Sequence, residues 1–240
     1  MPNRFGPRGV LALMIPLQNA NMQPEYEAMR PEGVSNQIYR FSLAAPDDVP
    51  EAVIGALPDA RGCFPDLISC GNSLEMRHWS LDRQDLYRQE VQNAVPEVPV
   101  ITATDATVAA LRAVKAQKIA ILSPMSEVYS KSVAGYYAAM GYDVLNHHWL
   151  EVPLPQEIIN VSVERIHAAF DKLDTPDVDC FLHVGGALGI VDMIDDLEER
   201  LGRPVISVNA ATYWYALRKI GVTDPLDRGG RITRLALTET

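Results

Sequence analysis

Basic residues are scarce in this sequence of 240 residues: 21 Lys and Arg stand against 31 Asp and Glu, a net charge of −10. That balance works against nucleic acid as a partner, which asks for clustered cations. Cysteine is scarce as well. The three present, Cys63, Cys70 and Cys180, are odd in number. No disulfide framework is expected from them, and a reducing cytoplasm is the expected setting. Long apolar runs are missing. The run at 10–17 (VLALMIPL) is far shorter than the roughly 18 residues a spanning helix needs. It leads straight into Gln18 and Asn19, which makes a poor signal peptide and a good first strand. There is no lipidation or polybasic motif, so no membrane partner is expected. Cys and His show no metal-ligand spacing, no strand runs into Gly-x-Gly-x-x-Gly, and no lysine sits beside the glycine turns described below. The expectation is therefore no metal, no nicotinamide, no pyridoxal phosphate and no other cofactor.

What the sequence does have is apolar content, 48% of residues, enough to support a real core. It is spread over runs that alternate between strand-like and helix-like patterns. Strands are expected at 10–15, 34–43, 66–70, 98–101, 118–122, from 142, at 179–184 and at 203–208. Helices are expected at 25–30, 46–57, 83–94, 106–114, 128–140, 158–173, 194–201 and 211–220. Asp47 or Asp48 is expected near the start of the second helix, and Asp105 as the cap of the fourth. The tail from Asp224 reads as polar and packed on the surface. Alternation of this kind predicts an α/β fold with parallel sheets and helices on both faces.

Two stretches share one grammar. FPDLISCGNS (64–73) is a buried run ending in a small polar turn, Gly71-Asn72-Ser73. VDCFLHVGG (178–186) is a second such run, ending in Gly185-Gly186. A strand that stops at glycine and side-chain oxygens, with a helix next, is how an open α/β sheet offers backbone N–H groups to an anion. The similarity extends further. The segment around Pro16 matches that around Pro124, and VPVI (98–101) matches RPVI (203–206), at offsets of 105–113 residues. The repeat predicts two pseudo-symmetric lobes, each a parallel sheet flanked by helices, with the active site in the cleft between them. The lobes are expected at 1–105 plus 208–240 and at 106–207. In this register Cys70 corresponds to His183, and Gly71 to Val184.

These features together resemble the aspartate/glutamate racemase superfamily. They are the two-lobed repeat, the first strand ending Pro16-Leu17-Gln18-Asn19, the turn Gly71-Asn72-Ser73-Leu74 and the turn His183-Val184-Gly185-Gly186-Ala187-Leu188. The nearest branches by these motifs are arylmalonate decarboxylase and maleate cis-trans isomerase. The resemblance implies a small carboxylate substrate held between two lips, with backbone N–H groups and short hydroxyls stabilising an anionic intermediate. It also implies one cysteine on each lip in the racemases. Residue by residue, those two positions fall on Gly71 and Val184, so both thiols are replaced. The binding positions survive: Asn19 for a carboxylate, Ser73 for an oxyanion, Asn72 where the decarboxylases have Thr, and Gly185 and Gly186 in the second turn. Where a Tyr is expected after the fifth strand the chain has Met125, followed by Ser126.

The resemblance implies a cofactor-independent, decarboxylase-like lyase acting on a small carboxylic acid through an enediolate-type intermediate. Cys70 or His183 is the candidate to move the proton, both set against the reading that they face the core. The alternatives are an isomerase using a displaced Cys70 or His183, and a carboxylate-binding relative without catalysis. A homo-oligomer stays open. Asn209 and Thr212, after the last repeated strand, are further candidates for the pocket lining. His147 and His148 are read as a surface pair.

Overall fold

The computed structural model describes residues 4–42, 48–71 and 73–237. Asn72, and the expected helix start at Pro46 and Asp47, lie outside the described residues. Within them, sixteen regular elements alternate along the chain. The first half holds β1 (Gly9–Pro16), α1 (Met22–Met29), β2 (Val34–Phe41), α2 (Val49–Ala60), β3 (Leu67–Cys70), α3 (Leu81–Ala94), β4 (Val100–Thr102) and α4 (Ala103–Ala113). The second holds β5 (Lys118–Ser123), α5 (Glu127–Ala139), β6 (Asp143–Trp149), α6 (Val163–Leu173), β7 (Cys180–His183), α7 (Ile194–Leu201), β8 (Val205–Ser207) and α8 (Val208–Lys219).

The strands form two parallel four-stranded sheets, ordered β2-β1-β3-β4 and β6-β5-β7-β8, so the topology of the first half is repeated in the second. The repeat reaches single hydrogen bonds. Asp66 accepts from the Val10 N–H at 2.8 Å, and Asp179 from the Lys118 N–H at 2.9 Å. Past the ends of the central strands, the Gly71 N–H donates to Met14 at 2.9 Å and the Val184 N–H to Leu122 at 3.0 Å. A short buried strand bracketed by these bonds is fixed in register at both ends, which sets where each lip begins.

β1 is buried along both faces. Leu11, Leu13 and Ile15 join a cluster that runs on to Leu122, Phe181 and Val205 of the second sheet and to Tyr213 and Leu217 of α8. The opposite face of the first sheet packs Ala12, Met14, Ile68 and Cys70 against α2 and α3. Burial on this scale, at roughly 25 cal/mol per Å² of apolar surface, is what fixes the two sheets against each other.

Local chemistry shifts several expected boundaries. Asp105 is not the N-cap of α4. Thr102 is, accepting from the Asp105 N–H, while the Asp105 carboxylate reaches back to the Thr102 N–H in a capping box. α6 starts at Val163 rather than at 158, because Ser162 caps it by accepting from the Arg165 N–H; the preceding Pro155–Asn160 forms a 3₁₀ turn. The tail is anchored, not merely laid on the surface: Ile232 and Thr233 are fully buried, and Arg218 donates to the Leu235 and Thr233 carbonyls. His147 and His148 are half-buried in β6 beside Trp149, with His147 Nδ1 3.1 Å from Ser130 Oγ. Among the described residues no helix is long and apolar enough to cross a membrane.

Candidate active site

The C-terminal ends of β1 and β3 meet those of β5 and β7, and the loops beyond them line a half-open cavity of about 150 Å³. Each loop contributes through its own local bonding.

After β1 the chain turns at Pro16, and the Asn19 side-chain oxygen accepts the N–H groups of Asn21 and Met22, at 3.0 and 2.9 Å. That satisfies two donors at the start of α1. It also fixes the amide, since with the oxygen engaged on the helix the nitrogen is turned toward the cavity that Asn19 lines.

After β3, Ser73 is extended and Leu74–Met76 forms a 3₁₀ turn. The turn is pinned to α4 by Thr104, whose hydroxyl accepts the Leu74 N–H at 2.8 Å and donates to the buried Glu75 carboxyl. Burial pushes that carboxyl up, against the smaller opposing pulls of the Thr104 and Ser73 hydroxyls. Ser73, Met76 and Arg77 line the cavity, and Glu75 is packed away from it.

The second lip follows β7. Gly185 has φ +92°, a backbone conformation open to glycine, and its carbonyl accepts the Leu188 N–H at 3.0 Å to close a tight turn. The next two carbonyls are also held, by side-chain amides. Asn209 Nδ2 donates to Gly186 at 2.9 Å, and Asn21 Nδ2 donates to Ala187. A trans peptide sets its N–H opposite its C=O. The N–H groups of Gly186 and Ala187 thus lie opposite carbonyls that are already engaged, and both residues line the cavity. Successive N–H groups of this kind make a concavity suited to an anion.

The cavity therefore gathers Asn19, Gly71, Ser73, Met125, Gly185 and Gly186 of the residues expected from sequence, and Asn209 of the further candidates. Met22, Met76, Pro155, Ile158 and Val208 give it apolar walls. Arg77 is the one charged side chain among its described lining residues. Sequence reasoning passed over Arg77. Arg77 did carry a signal: it is the sole Lys or Arg between Phe64 and Ser80, one short turn past the Gly-Asn-Ser stretch.

Four expected residues are placed elsewhere. Cys70 is fully buried in the core of the first sheet, where desolvation drives its thiol far up, away from the reactive thiolate. His183 is also fully buried; its Nδ1 lies 3.4 Å from Ser207 Oγ, and burial depresses it to about 3, so it is neutral. Val184 packs into the second-sheet cluster. Ser126 precedes α5 and borders a separate surface depression with Tyr129. The parity of a strand explains the first two: one residue back from the matching lip positions Gly71 and Val184, the side chain faces the opposite side. Thr212 likewise turns into the core, its hydroxyl donating to the Val208 carbonyl at 2.7 Å. Among the described residues, no group of three His, Cys, Asp or Glu side chains is placed to hold a metal ion.

This arrangement can be set beside known proteins. The arylmalonate decarboxylase family model matches residues 50–233. The chain belongs to the arylmalonate decarboxylase family. Curated relatives of similar sequence are maleate isomerases. One from Alcaligenes faecalis is 26% identical over 147 residues, covering 59% of this chain and 58% of that protein. One from Nocardia farcinica is 26% identical over 120 residues, covering 50% and 48%. The chain thus spans about half the length of the curated relatives it matches. In fold the likeness is nearly complete. The Nocardia farcinica maleate cis-trans isomerase bound to TRIS superposes with a TM-score of 0.84 at 20% identity, over 94% of this chain and 97% of that one. Unliganded arylmalonate decarboxylase superposes with a TM-score of 0.79 at 19% identity, over 93% and 98%. The family's two parallel sheets facing a cleft are the sheets described above.

Proposed function

We propose that this protein is a cofactor-independent lyase that decarboxylates a small carboxylic acid through an enediolate-type anion. The observation that carries the reading is the make-up of the cavity. Donors from both lips and one cation, Arg77, converge in walls that are otherwise apolar, and no acidic side chain is among its described lining residues.

In this mechanism the carboxylate that stays is held by the Asn19 amide and Arg77. The carboxylate that leaves lies against the methionine and isoleucine walls, where loss of hydration favours the uncharged product. As the C–C bond breaks, its electron pair enters the enediolate and carbon dioxide departs. The Ser73 hydroxyl and the N–H groups of Gly186 and Ala187 stabilise the charge that develops on oxygen; fixed donors in a dry site are worth more than in water. The α-carbon then takes a proton. Among the described lining residues there is no thiol, imidazole, carboxyl or phenol to give it, so water delivers the proton and is left as hydroxide.

Two observations support rival readings. The maleate isomerase relatives favour isomerisation, and the absence of a lining acid favours a carboxylate binder. One experiment separates all three. Phenylmalonate and maleate are each incubated with the protein in deuterated water and followed by NMR. Carbon dioxide and α-deuterated phenylacetate mark the lyase, and fumarate marks the isomerase. Saturable binding with neither product marks the binder and rejects the lyase.

A further inference from the structure

Asn209, near the start of α8, is fully buried, and its side-chain nitrogen donates twice: to the Gly186 carbonyl at 2.9 Å and to the Glu25 carboxylate at 2.5 Å. Two acceptors on one side decide which way the amide faces. The other Glu25 oxygen accepts the Val191 N–H at 2.8 Å. Glu25 sits on α1, beside the loop that carries Asn19, and Val191 opens the short turn Val191–Met193 beyond the second lip. One carboxylate thus ties together the first-half helix, α8 and the chain leaving the lip. The lip carbonyl it reaches through Asn209 belongs to the peptide that joins Gly186 to Ala187, both of which line the cavity.

We propose that Glu25 is a positioning residue for the cavity: it holds Asn209, and through Asn209 the Gly186 peptide, so that the second lip keeps its shape. The proposal concerns the same cavity as the functional reading above and rests on it for its catalytic consequence. Only an ionised carboxylate accepts at both oxygens without a proton of its own to place. Burial raises Glu25 to about 7, with the Val191 N–H and the Asn209 amide pulling the other way and Asp192 adding to the rise. Tyr26 is its neighbour on α1, and Arg228 borders the same shallow surface depression as Glu25 and Asp192.

The test is amide hydrogen exchange on the full-length protein, read by mass spectrometry over residues 184–193. Glu25→Gln keeps the size but sets an amide nitrogen against Asn209, so that two donors face each other. At pH 8 the variant is expected to exchange about tenfold faster than the wild type in this segment, the loss of one charge-assisted hydrogen bond. β1 and β5, far from the strut, should be unchanged and so report an intact fold. Equal exchange at pH 8 overturns the proposal. This readout requires no turnover, so a protein that converts neither phenylmalonate nor maleate sinks the functional reading while the exchange data still decide this one. With an active protein, KM should be higher in Glu25→Gln than in the wild type while kcat changes less.

Discussion

A β-carbon placed on Gly71 would lie 2.1 Å from the carbonyl oxygen of Met14, the same oxygen that accepts the Gly71 N–H at 2.9 Å. The first lip is sewn to β1 at a point where no side chain fits. This is the position where the superfamily resemblance places the first cysteine, so a thiol there requires the backbone of β3 or β1 to move. Loss of that thiol in this chain is thus built into the packing and is more than a change of one side chain.

It follows that Gly71→Ala should be costly although it adds a single methyl group. The contact is with backbone, which cannot swing aside, and overpacking of this kind costs about 1–3 kcal/mol. The denaturant midpoint should fall accordingly. An unchanged midpoint would show that the lip has slack and that a cysteine could be accommodated after all.

Asn19 does two things that a pair of substitutions can separate. Its oxygen satisfies the N–H groups at the start of α1, and its nitrogen faces the cavity. Asn19→Asp keeps the acceptor but turns a carboxylate oxygen toward the substrate. Melting temperature should hold, while KM rises tenfold or more, on the order of one lost hydrogen bond to a charged group; kcat should change little, because a spectator carboxylate is held equally in ground and transition states. Asn19→Ala should raise KM too, and in addition lose about 1 kcal/mol of stability with the cap. A normal KM in Asn19→Asp would remove Asn19 from the site.

Acid sensitivity should come in part from His183. Its folded value of about 3 lies below its ordinary 6.5 because burial disfavours the charged ring. The unfolded chain takes up a proton below about 6.5 and the folded chain does not, so the stability this group contributes is present above 6.5 and is lost as pH falls toward 3. Glu25 works in the opposite sense: raised from 4.5 to about 7, it contributes stability below 4.5 that is lost as pH rises through 7. Urea midpoints at pH 7 and pH 5 should therefore drop further for the wild type than for His183→Gln. Parallel drops would mean that the ring is protonated inside the fold.

Much of the fold was legible because the chain repeats its own punctuation. Asp66 and Asp179 at the starts of β3 and β7, and the glycine turns after them, stand in matching places in both sequence and structure. Strands buried on both faces wrote themselves as unbroken apolar runs, as in β1. The site was harder to read. Asn19, Ser73 and the lip glycines follow strand ends, where direction is set by register, and these could be placed. Arg77 reaches the cavity from a 3₁₀ turn whose course is dictated by Thr104 on α4, a partner some 30 residues away in sequence. Glu25 meets Asn209 across 184 residues. No local pattern encodes either contact. Cys70 and His183 drew notice by their chemistry, yet the two-residue period of a strand turns both into the core.

The most direct measurement is kcat of Ser73→Ala on whichever acid the NMR panel identifies. The substitution removes one hydroxyl at the cavity wall and almost no volume, so the fold should persist, with at most the small loss of stability that goes with the hydroxyl's contact to the buried Glu75 carboxyl. If Ser73 donates to an oxyanion in the transition state, kcat should fall about 10²–10³-fold. Undiminished kcat in a folded Ser73→Ala protein would contradict the account, because the anion would then be stabilised somewhere other than this cavity.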